Sequence, residues 1–408
     1  MPRSPNWCRD ELILALDLYF REPRARGSKT HPGVKKLSAL LNGFPVHPSY
    51  DQEGYLRNPN GVAMKLGNFL PFDPEYDGQG LPQGSKLDKV VWDEFARIDR
   101  GKLRRAADAI LRRVGALEPY TIDDAHEDLF LPRDRFERLL ESIRTRKNLI
   151  LQGPPGTGKT FIARRLAWCL IGYKNSDPIG MVQFHQSYAY EDFVQGYRPT
   201  DDGGFDLKDG VFFRFCQRAL DDPGTPYVFI IDEINRGNLS RIFGELLMLI
   251  EADKRSDKFA VSLTYSDRWF HVPENVHILG MMNTADRSLA LVDYALRRRF
   301  AFETLEPGYG RPEFKRYLES NGTEPTLVNR IVERMGELNR RIEEDPELGP
   351  GFKIGHSYFV PDDGEGLSEA RYTHIVDTQI EPLLREYWFD SPDDVEKAVA
   401  TLSGNGES

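Results

Sequence analysis

Eight consecutive residues, Gly153-Pro154-Pro155-Gly156-Thr157-Gly158-Lys159-Thr160, constrain this chain more than any other feature. They fit the pattern G-x-x-x-x-G-K-[ST], and they sit inside "RKNLILQGPPGTGKTFIARRLAWCLI", with an apolar run before them and an amphipathic run after. A strand, a glycine-rich loop and a helix are therefore predicted in that order, which makes this part of the chain α/β. Glycines let backbone N–H groups curl around phosphate oxygens, and the N-terminus of the following helix adds positive potential. In such a loop Lys159 reaches the β- and γ-phosphates of a nucleotide, and the Thr160 hydroxyl ligates Mg2+.

A triphosphate site needs a second half, and "YVFIIDEINRGN" supplies it. An apolar strand ends in Asp232, placed to hold Mg2+ through water, and in Glu233, placed to orient and deprotonate the attacking water. Between the two motifs there is room for a further strand, "GMVQFH", Gly180 to His185. That insertion, with a glutamate beside the aspartate, is a feature of hydrolytic motors rather than of switch GTPases or nucleotide kinases. A third apolar strand, "NVHILGMMNTADRS", ends in Asn283, whose amide is expected to help hold the water against the γ-phosphate. Arg297, Arg298 and Arg299 follow at the end of the next predicted helix, just before another strand, "FAFETL". Three adjacent arginines exceed what capping a helix C-terminus requires. They are read as an arginine finger that acts on a neighbouring subunit's nucleotide, with Arg298 and Arg299 ahead of Arg297.

The chain has 408 residues, too many for one ordinary domain. No apolar run approaches the roughly 20 residues needed to cross a bilayer. The opening "MPRSPNWCRDEL" has no signal core, and Cys8, Cys169 and Cys216 show no pairing pattern, so a cytoplasmic protein with reduced thiols is expected. Net charge is −10, yet residues 1–115 hold 19 Lys+Arg against 14 Asp+Glu. A basic front on an acidic body suggests an anionic partner for the front. That front is mainly helical by pattern, as in "RDELILALDLYF" and "GVKKLSALLN". The expected division is 1–115 a small helical domain, 116–130 a linker, 131–305 the nucleotide-binding core, 306–395 a helical lid and 396–408 a flexible tail.

The second region resembles the AAA+ motor subunit of McrBC-type, modification-dependent restriction systems, the McrB family. The likeness is carried by "GPPGTGKTFIARRLA", "FHQSYAYEDFVQGYRP", "FIIDEINRGNLSRIFGELLMLIE", "LTYSDRWFHVPENVHILGMMNTADRSLALVDYALRRRF" and "GFKIGHSYF". It implies a P-loop AAA+ domain, a parallel five-stranded sheet with helices on both faces, followed by a helical lid. It adds Asn235, after the acidic pair, and Asp286, in "MNTADRS", to the nucleotide-binding residues. It implies "YEDFVQGYRP" near the nucleotide or a subunit interface. It also implies GTP as fuel, a homo-oligomeric ring expected to be a hexamer, a separate McrC-like nuclease subunit, and DNA, modified, as the target. The residues themselves leave ATP open, since no [NT]-K-x-D guanine motif follows the phosphate loop. An ATP-fuelled chaperone of the MoxR kind is the alternative.

No nuclease site is expected in the chain itself. "EADKRSDK", Glu251 to Lys258, has the letters but reads as a solvated turn. The lid offers Lys353 and His356 but no sensor arginine. His185, His271, His277 and His356 have no metal-ligand spacing. In residues 1–115, "WCRDELILALDLYF", "LSALLN" and "RNPNGVAMKLGNF" are similar to a module preceding HNH nucleases in other modification-dependent enzymes. Reading a flipped base needs an aromatic pocket; Trp7, Tyr19, Phe20, Tyr50, Tyr55, Phe69 and Trp92 are available, with Phe20 and Trp92 expected in packing.

Overall fold

The computed structural model describes residues 5–44, 57–76, 84–96, 100–286, 297–361 and 365–403. Two compact units emerge, Met1–Pro119 and Tyr120–Ser408.

The first unit is built around the helix Arg9–Arg21, whose run from Glu11 to Tyr19 is buried throughout. The helices Pro32–Asn42, Pro59–Gly67, Lys86–Phe95 and Arg100–Arg113 surround it. Burial on all sides explains why "LILALDLY" is apolar beyond one stripe. Glu11, within that buried run, is neutralised by Arg57, whose Nε donates to Glu11 Oε1 at 2.7 Å. The Arg57 guanidinium also lies over the Trp7 ring, 4.7 Å from its centroid. Tyr19, Phe69 and Trp92 meet edge and face in the centre of the unit. Those rings are core, as is most of Phe20, so none of them forms an open base pocket. Tyr50 and Tyr55 lie outside the described residues.

Among its described residues the second unit holds nine strands: β1 Asn148–Gly153, β2 Ile179–Gln183, β3 Gln195–Pro199, β4 Phe205–Asp209, β5 Tyr227–Asp232, β6 Val261–Ser262, β7 Trp269–Phe270, β8 Val276–Asn283 and β9 Ala301–Thr304. Five form a parallel sheet in the order β2-β5-β8-β1-β9. The pairs β3/β4 and β6/β7 are antiparallel hairpins beside it. Leu149, Ile150 and Leu151 are wholly buried because both faces are covered. The helices Arg133–Arg146 and Lys159–Ile171 pack on one face. Val211–Leu220, Leu239–Phe243 and Leu246–Leu249 pack on the other. Register decides the site: Gly153 stands opposite Asn283, and Gln183 opposite Asp232. The phosphate loop and the two polar strand ends thus leave the sheet at the same edge.

Three sequence-based expectations are revised. Residues 116–130 are not a free linker, since they include the helix Ile122–Glu127 and bury Tyr120, Ala125 and Leu129 in the core that β1 occupies. The tail is ordered to Ser403: Val395, Ala398 and Leu402 of the helix Pro392–Ser403 are buried in the lid core. "EADKRSDK" is not simply solvated either. Arg255 is 2% exposed. Its guanidinium donates to the Ile250 carbonyl and to Asn148 Oδ1, and so staples this turn to the start of β1.

Candidate functional site

The phosphate loop is shaped by three glycines with positive φ: Gly153 at 158°, Gly156 at 76° and Gly158 at 77°. At Gly153 any Cβ would stand 2.4 Å from the Leu305 carbonyl oxygen. Inside the loop, Thr157 Oγ1 donates to the Pro154 carbonyl. Lys159 Nζ donates to the carbonyls of Gly153 and Pro154, at 3.0 and 2.8 Å, so its ammonium is drawn back across the loop. Burial pushes that ammonium down to about 8, while the nearby carboxylates of Glu233, Asp232 and Asp286 oppose the shift. Thr160 is exposed in the first turn of the helix Lys159–Ile171.

At the end of β5, Asp232 Oδ1 accepts the Glu233 N–H at 3.0 Å. Glu233 itself has φ 49° and ψ 45°, a left-handed conformation uncommon for a residue with a side chain. Such strain, worth about 1–3 kcal/mol, concentrates at functional sites. Asn283 Nδ2, arriving on β8, donates to Glu233 Oε1 at 2.8 Å. Arg236 Nε lies 3.3 Å from Glu233 Oε2, and its Nη2 donates to Asp286 Oδ2 at 3.0 Å. Glu233, Asn283, Asp286 and Arg236 therefore form one connected cluster. Asn235, two residues after Glu233, is nearly buried, and its Oδ1 has no hydrogen-bond partner among the described residues. Arg236 was not among the expected site residues; only its place three residues after Glu233 hinted at it.

The oxygen donors present suit Mg2+, a hard cation that favours carboxylate and hydroxyl oxygens. Thr160 supplies a hydroxyl, and the second Asp232 carboxylate oxygen makes no hydrogen bond among the described residues. No group of three or more His, Cys, Asp or Glu converges as a metal-holding cluster among the described residues.

The lid presses directly on the loop. Gly355 N donates to the Pro155 carbonyl and Ser357 N to the Gly156 carbonyl, both at 3.0 Å. His356 Nδ1 accepts from Gly308 N at 2.9 Å. Burial, and to a lesser degree Arg311, lowers the imidazole to about 4, so His356 serves as a neutral structural acceptor. Lys353 pairs with Glu306 and Glu343.

The expected arginine pair divides. Arg299 has a side chain only 10% exposed and pairs with Glu251 at 2.8 Å. Its carbonyl accepts from Asn148 Nδ2, which locks this point of the chain to β1. Arg298 is 70% exposed and touches Glu251 only at 3.5 Å. The candidate for reaching another subunit is therefore Arg298 rather than Arg299. The predicted helix leading to them, residues 287–296, lies outside the described residues.

"YEDFVQGYRP" forms the helix Tyr190–Phe193 and then β3. Phe193 is core, and Tyr190 OH donates to Glu245 Oε1 at 2.6 Å. A cavity of about 440 Å3 adjoins the phosphate loop at Thr157 and Gly158. Phe161 and Arg165 line it from the loop's helix, Asp128 to Leu131 from the preceding segment, and Ser357 from the lid. Part of this wall comes from the expected linker 116–130, whose short sequence pattern carries no sign of it.

Residues 148–300 match the AAA domain of the dynein-related subfamily, and residues 330–396 match the McrB alpha-helical lid domain. The EcoKMcrB subunit of a type IV methyl-directed restriction enzyme of Escherichia coli (strain K12) is 49% identical over 404 residues, covering 97% of this chain and 84% of that protein. A component of the BsuMI type II restriction enzyme of Bacillus subtilis (strain 168) is 25% identical, over 50% of this chain and 72% of that protein. An AAA ATPase forming ring-shaped complexes, from Micrococcus luteus, is 26% identical over 55% of this chain and 37% of its own length. No helix among the described residues is long and apolar enough to cross a membrane. Phosphate loop, acidic strand end, lid and overall likeness agree: the chain is a P-loop nucleoside triphosphatase that belongs to the McrB family.

Proposed function

We propose that this chain is the GTP-hydrolysing motor subunit of a modification-dependent DNA restriction complex. The observation that carries the hydrolytic part is the pairing of Glu233 with Asn283 at the edge where the phosphate loop opens. In this reading the loop N–H groups and Lys159 bind the β- and γ-phosphates, while Thr160 and Asp232 hold Mg2+. Held by these oxygens, Mg2+ would supply positive charge against the phosphate oxygens. Glu233 takes the proton of the attacking water, and Asn283 fixes the carboxylate oxygen that does so. Asp286 holds Arg236, which steadies the other oxygen of Glu233; Asn235 supports the same turn. Arg298, the exposed member of its pair, completes a neighbour's site in trans, so hydrolysis requires a ring, taken to be a hexamer. The ring is supported by the ring-forming relative.

GTP over ATP, a separate McrC-like nuclease subunit, modified DNA as target and a cytoplasmic setting belong to the same reading, which the likeness to a methyl-directed restriction subunit supports. The basic first unit, residues 1–115 in the sequence-based division, is assigned the contact with DNA, with its phosphates met by Lys and Arg. Competition between GTP and ATP for the full-length protein tests the fuel. Duplex binding that weakens steeply with salt tests the DNA assignment, and its absence at low salt would make the first unit a protein-docking module.

A further inference from the structure

We infer that Asp128 discriminates guanine from adenine in the cavity beside the phosphate loop, an inference that rests on the GTP reading above. The cavity adjoins Thr157 and Gly158, where a nucleotide's phosphates would end, and it is large enough for a nucleoside. Phe130, Phe161 and Ile162 give it apolar wall on which a base can stack. Asp128 is one of two carboxylates lining the cavity, with its side chain half exposed. Arg165 Nη2 donates to its Oδ2 at 2.7 Å. Arg165 is itself held firmly: it is 8% exposed, and its guanidinium carbon sits 3.2 Å from the centroid of the Phe161 ring, one turn earlier on the same helix. A fixed guanidinium thus holds the Asp128 carboxylate in place. Asp128 Oδ1 has no hydrogen-bond partner among the described residues, and Oδ2 can accept a second bond besides that from Arg165.

Guanine offers two adjacent donors, N1–H and the N2 amino group, which match the two oxygens of one carboxylate. Adenine offers at the same edge the N1 lone pair, which a carboxylate repels. A charged acceptor therefore selects by attraction to one base and by repulsion of the other. Glu306, the second carboxylate on the wall, is drawn to Lys353, which it shares with Glu343 of the lid. It serves as the comparison.

Displacement of a ribose-labelled fluorescent GDP from full-length protein, by GDP, ADP, IDP and XDP, reads the base alone without hydrolysis. Wild type is expected to rank GDP first, with IDP weaker because inosine lacks the N2 amino group. Asp128→Asn should lose roughly 10- to 100-fold in GDP affinity, the worth of a hydrogen bond to a charged group. The same variant should gain XDP binding, because its amide N–H can donate to the C2 carbonyl of xanthine; a misfolded protein would gain nothing. Glu306→Gln should leave the GDP-to-ADP ratio unchanged. If wild type shows no preference for GDP, the GTP reading itself fails. If wild type prefers GDP and Asp128→Asn keeps that ratio, Asp128 is not the discriminator although GTP is the fuel. An equal loss of all four diphosphates also overturns the inference, since it marks Asp128 as a mere support for Arg165.

Discussion

Asn283 and Glu233, fifty positions apart in the chain, meet with Asn283 Nδ2 donating to Glu233 Oε1 at 2.8 Å. Neighbouring parallel strands β5 and β8 bring them together, and the left-handed turn at Glu233 aims its carboxylate back towards β8. Glu233→Gln should therefore bind nucleotide with near-native affinity while turnover falls roughly 10²–10⁴-fold. Asn283→Ala should lower kcat with little change in nucleotide affinity. Nucleotide affinity and single-turnover rates separate the two effects; a fully active Glu233→Gln enzyme would remove the proposed base.

Arg298→Ala should reduce turnover by roughly 10³-fold or more and spare nucleotide binding, as expected for a group that meets charge only in the transition state. Arg299→Ala should instead lower stability, because its partner Glu251 and the carbonyl bond to Asn148 place it inside the subunit. Mixing Arg298→Ala with Glu233→Gln subunits should restore activity at interfaces that pair an intact glutamate with an intact arginine. Mixed rings that stay inactive would show that Arg298 does not act in trans.

Lys159 makes nucleotide binding pH-dependent. Its ammonium, ordinarily near 10.5, is lowered to about 8 in the free protein by burial. Bound phosphates restore a counter-charge and raise it again. Above about pH 8 the free protein has therefore lost a proton that the complex retains, so binding takes up a proton and affinity falls as pH climbs from 8 towards 10.5. Below pH 7 no uptake is expected. Calorimetry at pH 8.5 in two buffers of different ionisation enthalpy measures the uptake directly. Equal observed heats in the two buffers would contradict the account.

The seam between lid and phosphate loop should be intolerant of one methyl group. A Cβ at Gly355 would stand 2.0 Å from the Gly156 carbonyl carbon and 2.4 Å from the Pro155 oxygen, both backbone atoms. Gly355→Ala should abolish nucleotide binding while the first unit keeps its fold, and circular dichroism with binding assays can tell local from global loss. Gly224→Ala, with no atom within 4 Å of its Cβ, is the matched control.

In the first unit, Glu11 is 0% exposed and Arg57 3%. Removing one partner strands the other charge, so Glu11→Ala should cost about 3–5 kcal/mol. Denaturant melts of the full chain should show the loss in the transition of that unit, and a cost within 1 kcal/mol would argue that water reaches Arg57.

The sequence alone determined the chemistry of the phosphate end. Gly153 to Thr160 act through their own backbone and side chains, and Asp232-Glu233 end one apolar run, so a local pattern suffices to identify them. The α/β class and the helical first unit were readable for the same reason: each rests on periodicity within a short window. Only the tertiary structure decided the rest. It paired Arg236 with Asp286, turned Arg299 inward to Glu251 while leaving Arg298 exposed, and set the lid backbone on Pro155 and Gly156. It also turned an apparent linker into the wall that carries Asp128. These outcomes depend on partners from tens to about two hundred positions away, and an exposed and an inward-turned arginine look alike in a row of three. Which side chain meets a ligand is settled by strand register and by desolvation, and neither is a property of a residue's neighbours in sequence.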